Sequence, residues 1–193
     1  LPIARQPVTR LALALLVSIT TLAHAEVRLI AHAKVPGTAT DLSGLAGTLE
    51  NGVPANRLGG FGSAIAWTGD GDRFIAVSDR GPNAKPWNAG VDHTTSYAPR
   101  FHAFRFTLSP APEGSALPFT LTPSLLATTL FSSREALAFG AAPRPAGGTA
   151  SFTGRADAFG PGHDSRWPGH ARLDPEALRV APRGRSLYVG DEY

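Results

Sequence analysis

The stretch "SAIAWTGDGDRFIAVSDRGP", Ser63 to Pro82, decides the fold. An apolar run leads into a Gly-Asp turn, a second apolar run follows, and Gly81-Pro82 breaks the chain. Glycine and aspartate tolerate the backbone geometry of a tight reversal, so this order predicts a β-hairpin. The sequence carries a second copy in "DPEALRVAPRGRSLYVGDEY", residues 174 to 193. Laid on the first with one residue inserted at the turn, it matches Ala64 with Ala177, Trp67 with Val180, Gly71 with Gly184, Arg73 with Arg185, Val77 with Val189 and Asp79 with Asp191. The spacing of about 112 residues corresponds to two or more units of roughly 40 to 50 residues, the period of propeller blades. "EALAF" at 135 to 139 and "EALRV" at 176 to 180 form a shorter echo.

Repeated hairpins with nearly continuous apolar strands suit blades that bury both faces against their neighbours. The expected fold is all-β, a β-propeller. A closed propeller needs at least four blades, so the expectation is an incomplete N-terminal portion, truncated at the C-terminus. The rival arrangement is a β-sandwich holding two unrelated hairpins.

Outward from the hairpin, "EVRLIAHAKV" (26 to 35) alternates Val27, Leu29 and Ala31 with polar neighbours and predicts a strand. Residues 36 to 57 read as loop. "RFHAFRFTL" (100 to 108) has aromatics at both parities and predicts a strand buried on both sides; "PFTLTPSLLATTL" (118 to 130) predicts another. "REALAFG" (134 to 140) is ambiguous. From Gly140 to Leu173, glycine and proline are frequent enough to predict one long loop.

Composition agrees with a turn-rich globular protein. Of 193 residues, 21 are glycine and 17 proline, while 42% are hydrophobic and 17% charged. Arg5 and Arg10, the apolar run Leu11 to Ala23 and the small-x-small "AHA" (Ala23, His24, Ala25) make residues 1 to 25 a secretory signal peptide. The run is short of the roughly 20 residues that span a bilayer, so the mature chain, 26 to 193, is expected to be periplasmic or secreted, with no transmembrane segment. Cleavage removes two of the 18 basic residues and none of the 15 acidic ones, leaving a formal charge of +1. No basic run interleaved with aromatics points to nucleic acid. With no cysteine, disulfides, thiolate metal sites and thiol catalysis are excluded.

Carboxylates cluster where the strands end. Asp79, Asp191 and Glu192 close predicted strands, and Asp174 and Glu176 precede one. Acids converging from several blades supply the oxygen ligands that Ca²⁺ takes, and a held cation can clamp a phosphate or polarise an ester carbonyl. Arg80 offers a fork for an anionic substrate oxygen. The reading assigns Asp79, Asp174, Asp191 and Glu192 to metal binding and Arg80 and Glu176 to catalysis. The competing reading has Asp79 and Asp191 capping turns and Arg80 pairing with a neighbouring acid. Other motifs carry less. "TGDGDR" (68 to 73) lacks the downstream glutamate of an EF-hand loop and reads as a turn. Lys85 and His93 sit in the loop after "SDRGP". His163, Asp164 and His170 match no standard zinc spacing. No G-x-S-x-G elbow is present, which argues against an α/β-hydrolase.

"LSGLAG" (42 to 47), "GGFGSAIAW" (59 to 67), "FIAVSDRGP" (74 to 82), "RFHAFRFTL" and the final "DPEALRVAPRGRSLYVGDEY" together resemble the phytase-like, esterase-like domain family of exported bacterial proteins. The resemblance runs from 42 to 193. It implies a β-propeller shaped like the calcium-dependent alkaline phytases and a hydrolase acting on a small phosphoester or carboxylic ester. The alternative is a non-catalytic periplasmic propeller that binds a ligand or protein partner.

Overall fold

A computed structural model describes residues 26–85, 93–136, 144–159, 161 and 171–193. The signal-peptide reading and His163, Asp164 and His170 therefore lie outside the described residues. Those residues contain nine β-strands and no α-helix. Strands β1 (Phe61–Trp67), β2 (Arg73–Ser78), β3 (Arg100–Pro110) and β4 (Phe119–Leu130) form one antiparallel sheet in sequence order. A second sheet joins β5 (Ser132–Ala136) and β6 (Arg144–Thr153) antiparallel and adds β7 (Ala171–Arg172) parallel to β6. The third is the hairpin of β8 (Pro175–Val180) and β9 (Leu187–Asp191). β8 lies against β1 and β2. The described residues are thus all-β with several sheets, none of them closed.

Both hairpins form where the sequence places them, but with a different correspondence. Trp67 pairs with Phe74 and Val180 with Leu187, so the connections Thr68 to Arg73 and Ala181 to Ser186 are equally long. Each is closed by the same main-chain bond, Thr68 N to Arg73 O (3.1 Å) and Ala181 N to Ser186 O (2.9 Å). Ala64 opposite Val77 then answers to Ala177 opposite Gly190. No insertion separates the copies, and the counterpart of Asp79 is Glu192, not Asp191. In each hairpin an acid follows directly on the last strand residue, Asp79 after Ser78 and Glu192 after Asp191.

The core gathers on the β2 and β3 side. Leu58, Ala76 and Phe104 are buried, with Val35, Ala39, Phe61, Phe106 and Leu125 packed around them. Phe61 stacks on Phe104 with ring centroids 4.6 Å apart. On β3 the alternation is only half as expected: Arg100, His102 and Phe104 are buried, while Phe101, Ala103 and Arg105 on the other face are half-buried. Arg100 is tolerated there because it pairs with the equally buried Asp41 and donates to Ala98 O (2.7 Å) and Ala55 O (3.1 Å). A buried charge persists only when paired and hydrogen-bonded in this way.

Two expectations need correction. Residues 26–35 form no strand: Val27 and Leu29 are exposed, and the segment meets the sheets through the bond from Phe119 N to Ile30 O (3.2 Å) and through Val35 at the core. Alternation specifies a strand only when a partner edge takes up its main-chain groups. Conversely, the predicted loop after Gly140 contains β6, whose "RPAGGTASFT" hides a strand behind turn-forming residues. There the ladder with β5 supplies what propensity lacks.

Candidate functional site

The packing of β8 against β1 and β2 brings the loop after β2 beside the residue before β8. Asp174, only 2% exposed, is the hub. Its Oδ1 accepts the Arg80 main-chain N–H (2.9 Å), and its Oδ2 lies 3.4 Å from Arg80 Nε. Its own N–H donates to Asp191 Oδ1 (2.8 Å), and its carbonyl accepts the Glu192 N–H (3.0 Å). The final strand is therefore stitched to the start of β8 through the two residues that carry the acids.

Carboxylate oxygens of Asp174, Glu176 and Glu192 all lie within 4.8 Å of one another. Asp191 closes β9 as expected, whereas Glu176, expected just before a strand, is the second residue of β8. Asp79 and Asp191 both accept main-chain bonds: Asp79 Oδ1 takes the Gly81 N–H (2.8 Å), as a turn cap does, and Asp191 Oδ1 takes the Asp174 N–H from across the hairpin. Lys85 is exposed, and His93, at φ 53°, donates its main-chain N–H to Asp157 Oδ2 (2.9 Å), away from this cluster's hydrogen bonds.

The acids disturb one another. Burial pushes the Asp174 carboxyl up to about 6, the charges of Asp79 and Glu176 add to the rise, and the Arg80 N–H and guanidinium oppose it. Burial likewise raises Glu176, reinforced by Asp79 and Glu192. Like charges held close and half out of water make a proton or a cation welcome. The donor set is all carboxylate oxygen, the choice of hard divalent cations. Residues and group therefore fit: Asp174, Glu176 and Glu192 have the chemistry to hold such an ion, and Asp79 adds charge nearby.

Beneath the acids, the loop from Asp79 to Asn83 rests on aromatic and glycine neighbours that carry no signal in the sequence. Gly81, at φ 91°, lies so close to buried Tyr97 that an added Cβ would collide with its ring. Gly154 backs onto the Arg80 carbonyl and donates its N–H to Tyr97 O (2.7 Å). Tyr193 Oη donates to Gly154 O (3.1 Å), and Arg172 lies over the Tyr193 ring at 4.8 Å. The tyrosine after the acidic pair thus anchors it. A separate cleft of about 680 Å³ opens at the other end of the hairpins, between Thr68 to Asp70 and Pro182 to Gly184, and contains none of the clustered acids.

The family model described as "Phytase-like: Esterase-like activity of phytase" matches residues 56–193. The chain belongs to this family. Its description points to hydrolase-like chemistry on a small-molecule substrate. No curated protein and no solved structure matches the chain. No helix among the described residues is long and apolar enough to cross a membrane.

Proposed function

We propose that this protein is an exported hydrolase of phosphoesters or carboxylic esters that works at the Asp174, Glu176 and Glu192 cluster. The observation that carries this reading is the convergence of three carboxylates within 4.8 Å of one another beside the guanidinium of Arg80. Acids alone would repel an anionic substrate; an adjacent arginine gives the site both signs of charge, as ester hydrolysis at phosphorus or carbon requires. Asp174, Glu176 and Glu192 would hold a divalent cation, Ca²⁺ foremost, which when bound supplies Lewis-acid polarisation of a phosphoryl or carbonyl oxygen.

The chain's own residues divide the remaining work. Arg80 receives an ester oxygen and orients the substrate. Glu176, with one carboxylate oxygen toward the cation, would keep the other to take the proton from the attacking water. The new bond forms from water oxygen to phosphorus or carbonyl carbon as the ester P–O or C–O bond breaks, and the alkoxide leaves as alcohol with the proton that Glu176 returns. Asp191 fixes the main chain of Asp174, and Asp79 caps the loop that carries Arg80.

The sheets are read as blades of a β-propeller. The sequential four-stranded antiparallel sheet and the two hairpins of equal register support this architecture. Export rests on the signal-peptide pattern of residues 1 to 25.

The test is hydrolysis of p-nitrophenyl phosphate and p-nitrophenyl acetate by the signal-cleaved protein, with calcium and with chelator. Chelator-sensitive turnover that disappears in a folded Glu176→Gln variant is the expected result, and the preferred ester names the substrate class. A well-folded sample inert on both esters would leave a non-catalytic binding protein as the reading.

A further inference from the structure

We infer that Asn83 is a positioning residue that fixes the Arg80 guanidinium over the acidic cluster; this rests on the hydrolase reading above. Its side-chain oxygen accepts from Arg80 Nη1 at 2.7 Å. Arginine only donates, so the atom facing it must be Oδ1, not the amide nitrogen. Asp174 Oδ2 meets the same guanidinium from Nε at 3.4 Å. One contact would let a planar group swing about it; contacts at two different nitrogens define its plane. The N–H groups left over then have a set direction, as a fork for substrate oxygens needs.

The side chain of Asn83 is not required to hold its own loop. Asn51 Nδ2 donates to the Asn83 carbonyl at 2.9 Å, Thr95 Oγ1 donates to the Pro82 carbonyl at 2.8 Å, and Gly81 is pressed against Tyr97. Gly154 supports the Arg80 carbonyl from behind. With the main chain tied at these points, the side-chain amide starts from a fixed origin, and its oxygen accepts from Arg80. A residue needed only for the turn would spend its side chain on the turn's backbone, as Asp79 does.

The experiment compares wild type, Asn83→Ala, Asn83→Asp, Arg80→Ala and the Arg80→Ala/Asn83→Ala double variant. It reads kcat and KM for p-nitrophenyl phosphate, and Kd for inorganic phosphate by calorimetry, each at saturating calcium. Losing a charge-assisted hydrogen bond predicts that Asn83→Ala weakens KM and phosphate Kd about tenfold, with kcat changing less. Its melting temperature stays within about 2 °C of wild type, since the backbone ties remain. Asn83→Asp keeps an acceptor for Nη1 and recovers most of the loss. In the Arg80→Ala background, removing Asn83 changes nothing further, because it acts only through Arg80. An unchanged Asn83→Ala, losses that add to those of Arg80→Ala, or a loss that follows melting temperature alone would each overturn the assignment. Wild type that hydrolyses neither p-nitrophenyl phosphate nor p-nitrophenyl acetate and binds no phosphate would overturn the hydrolase reading and this inference with it.

Discussion

His102 is buried on β3 between Phe61 and Phe104, and its Nδ1 meets Thr128 Oγ1 at 3.0 Å while its buried Nε2 has no hydrogen-bond partner among the described residues. Charging this ring would bury an imidazolium with one unpaired donor. Burial accordingly lowers its pKa to about 4, the Asp41 charge working against the fall and the Arg100 charge with it. The folded pKa lies below the ordinary 6.5, so the unfolded chain takes up the proton first. Stability from this residue is complete above about 6.5 and is lost as pH falls through about 4. A tenfold difference in proton affinity is worth about 1.4 kcal/mol, so between pH 7 and pH 4.5 the loss should reach roughly 2–3 kcal/mol. Asp174, raised rather than lowered, changes stability with the opposite sign over much of that range. The histidine is therefore isolated by difference: urea unfolding at both pH values should show the wild type losing that much more than His102→Gln. Equal losses in the two proteins would contradict the assignment.

At the scale of elements, the glycine behind Arg80 shows how a strand end shapes the site. A Cβ on Gly154 would overlap the Arg80 carbonyl oxygen, and the obstacle is main chain that no rotamer change can clear. Gly154→Ala should push the Arg80 loop away from Tyr97, cost about 1–3 kcal/mol of stability, and weaken phosphate binding more than Asn83→Ala does. Thermal unfolding together with calorimetry checks both parts; an unshifted melting temperature would show that the loop yields freely. No sequence pattern marked Gly154, because its role depends on a neighbour far away in the chain. The strands flanking it were legible to different degrees for similar reasons. β1, β2, β8 and β9 could be read directly, since apolar alternation around a glycine turn reports a local hairpin. β6 could not, because its ladder partner, not its own "RPAGGTASFT", makes it a strand. The acids were found as strand-end residues, but which of them converge was not. Aligning on shared arginines placed Asp79 over Asp191, whereas the hydrogen-bond ladder places it over Glu192. Asn83 and Tyr97 become visible only when the loop after β2 is packed against residues 94 to 97 and 154.

For the whole molecule, the export reading makes a direct claim: the mature protein recovered from the periplasm or medium should begin at Glu26, as N-terminal sequencing would determine, and an uncleaved start would contradict it. The further claim concerns what the cluster does for the assembly of sheets. Asp174 opens the third sheet, Glu192 closes it, and Asp174 also holds the loop leaving the first sheet through Arg80. Repulsion among these acids, which adds to the burial that raises the Asp174 and Glu176 carboxyls, weighs on that junction. A cation bound there removes the repulsion and binds only the folded chain, so it must stabilise the whole by mass action. At a hundredfold excess of free calcium over its dissociation constant, the gain is about 2.7 kcal/mol. For a chain of this length that corresponds to roughly 5–10 °C in melting temperature. Glu176→Gln removes a ligand charge without touching the Asp174 hydrogen bonds to Arg80, Asp191 and Glu192, so it should melt higher than wild type in chelator and gain less from calcium. That crossing separates a cation site from a merely structural acid cluster: a structural Glu176 would lose stability on substitution in both buffers, and its calcium response would match wild type.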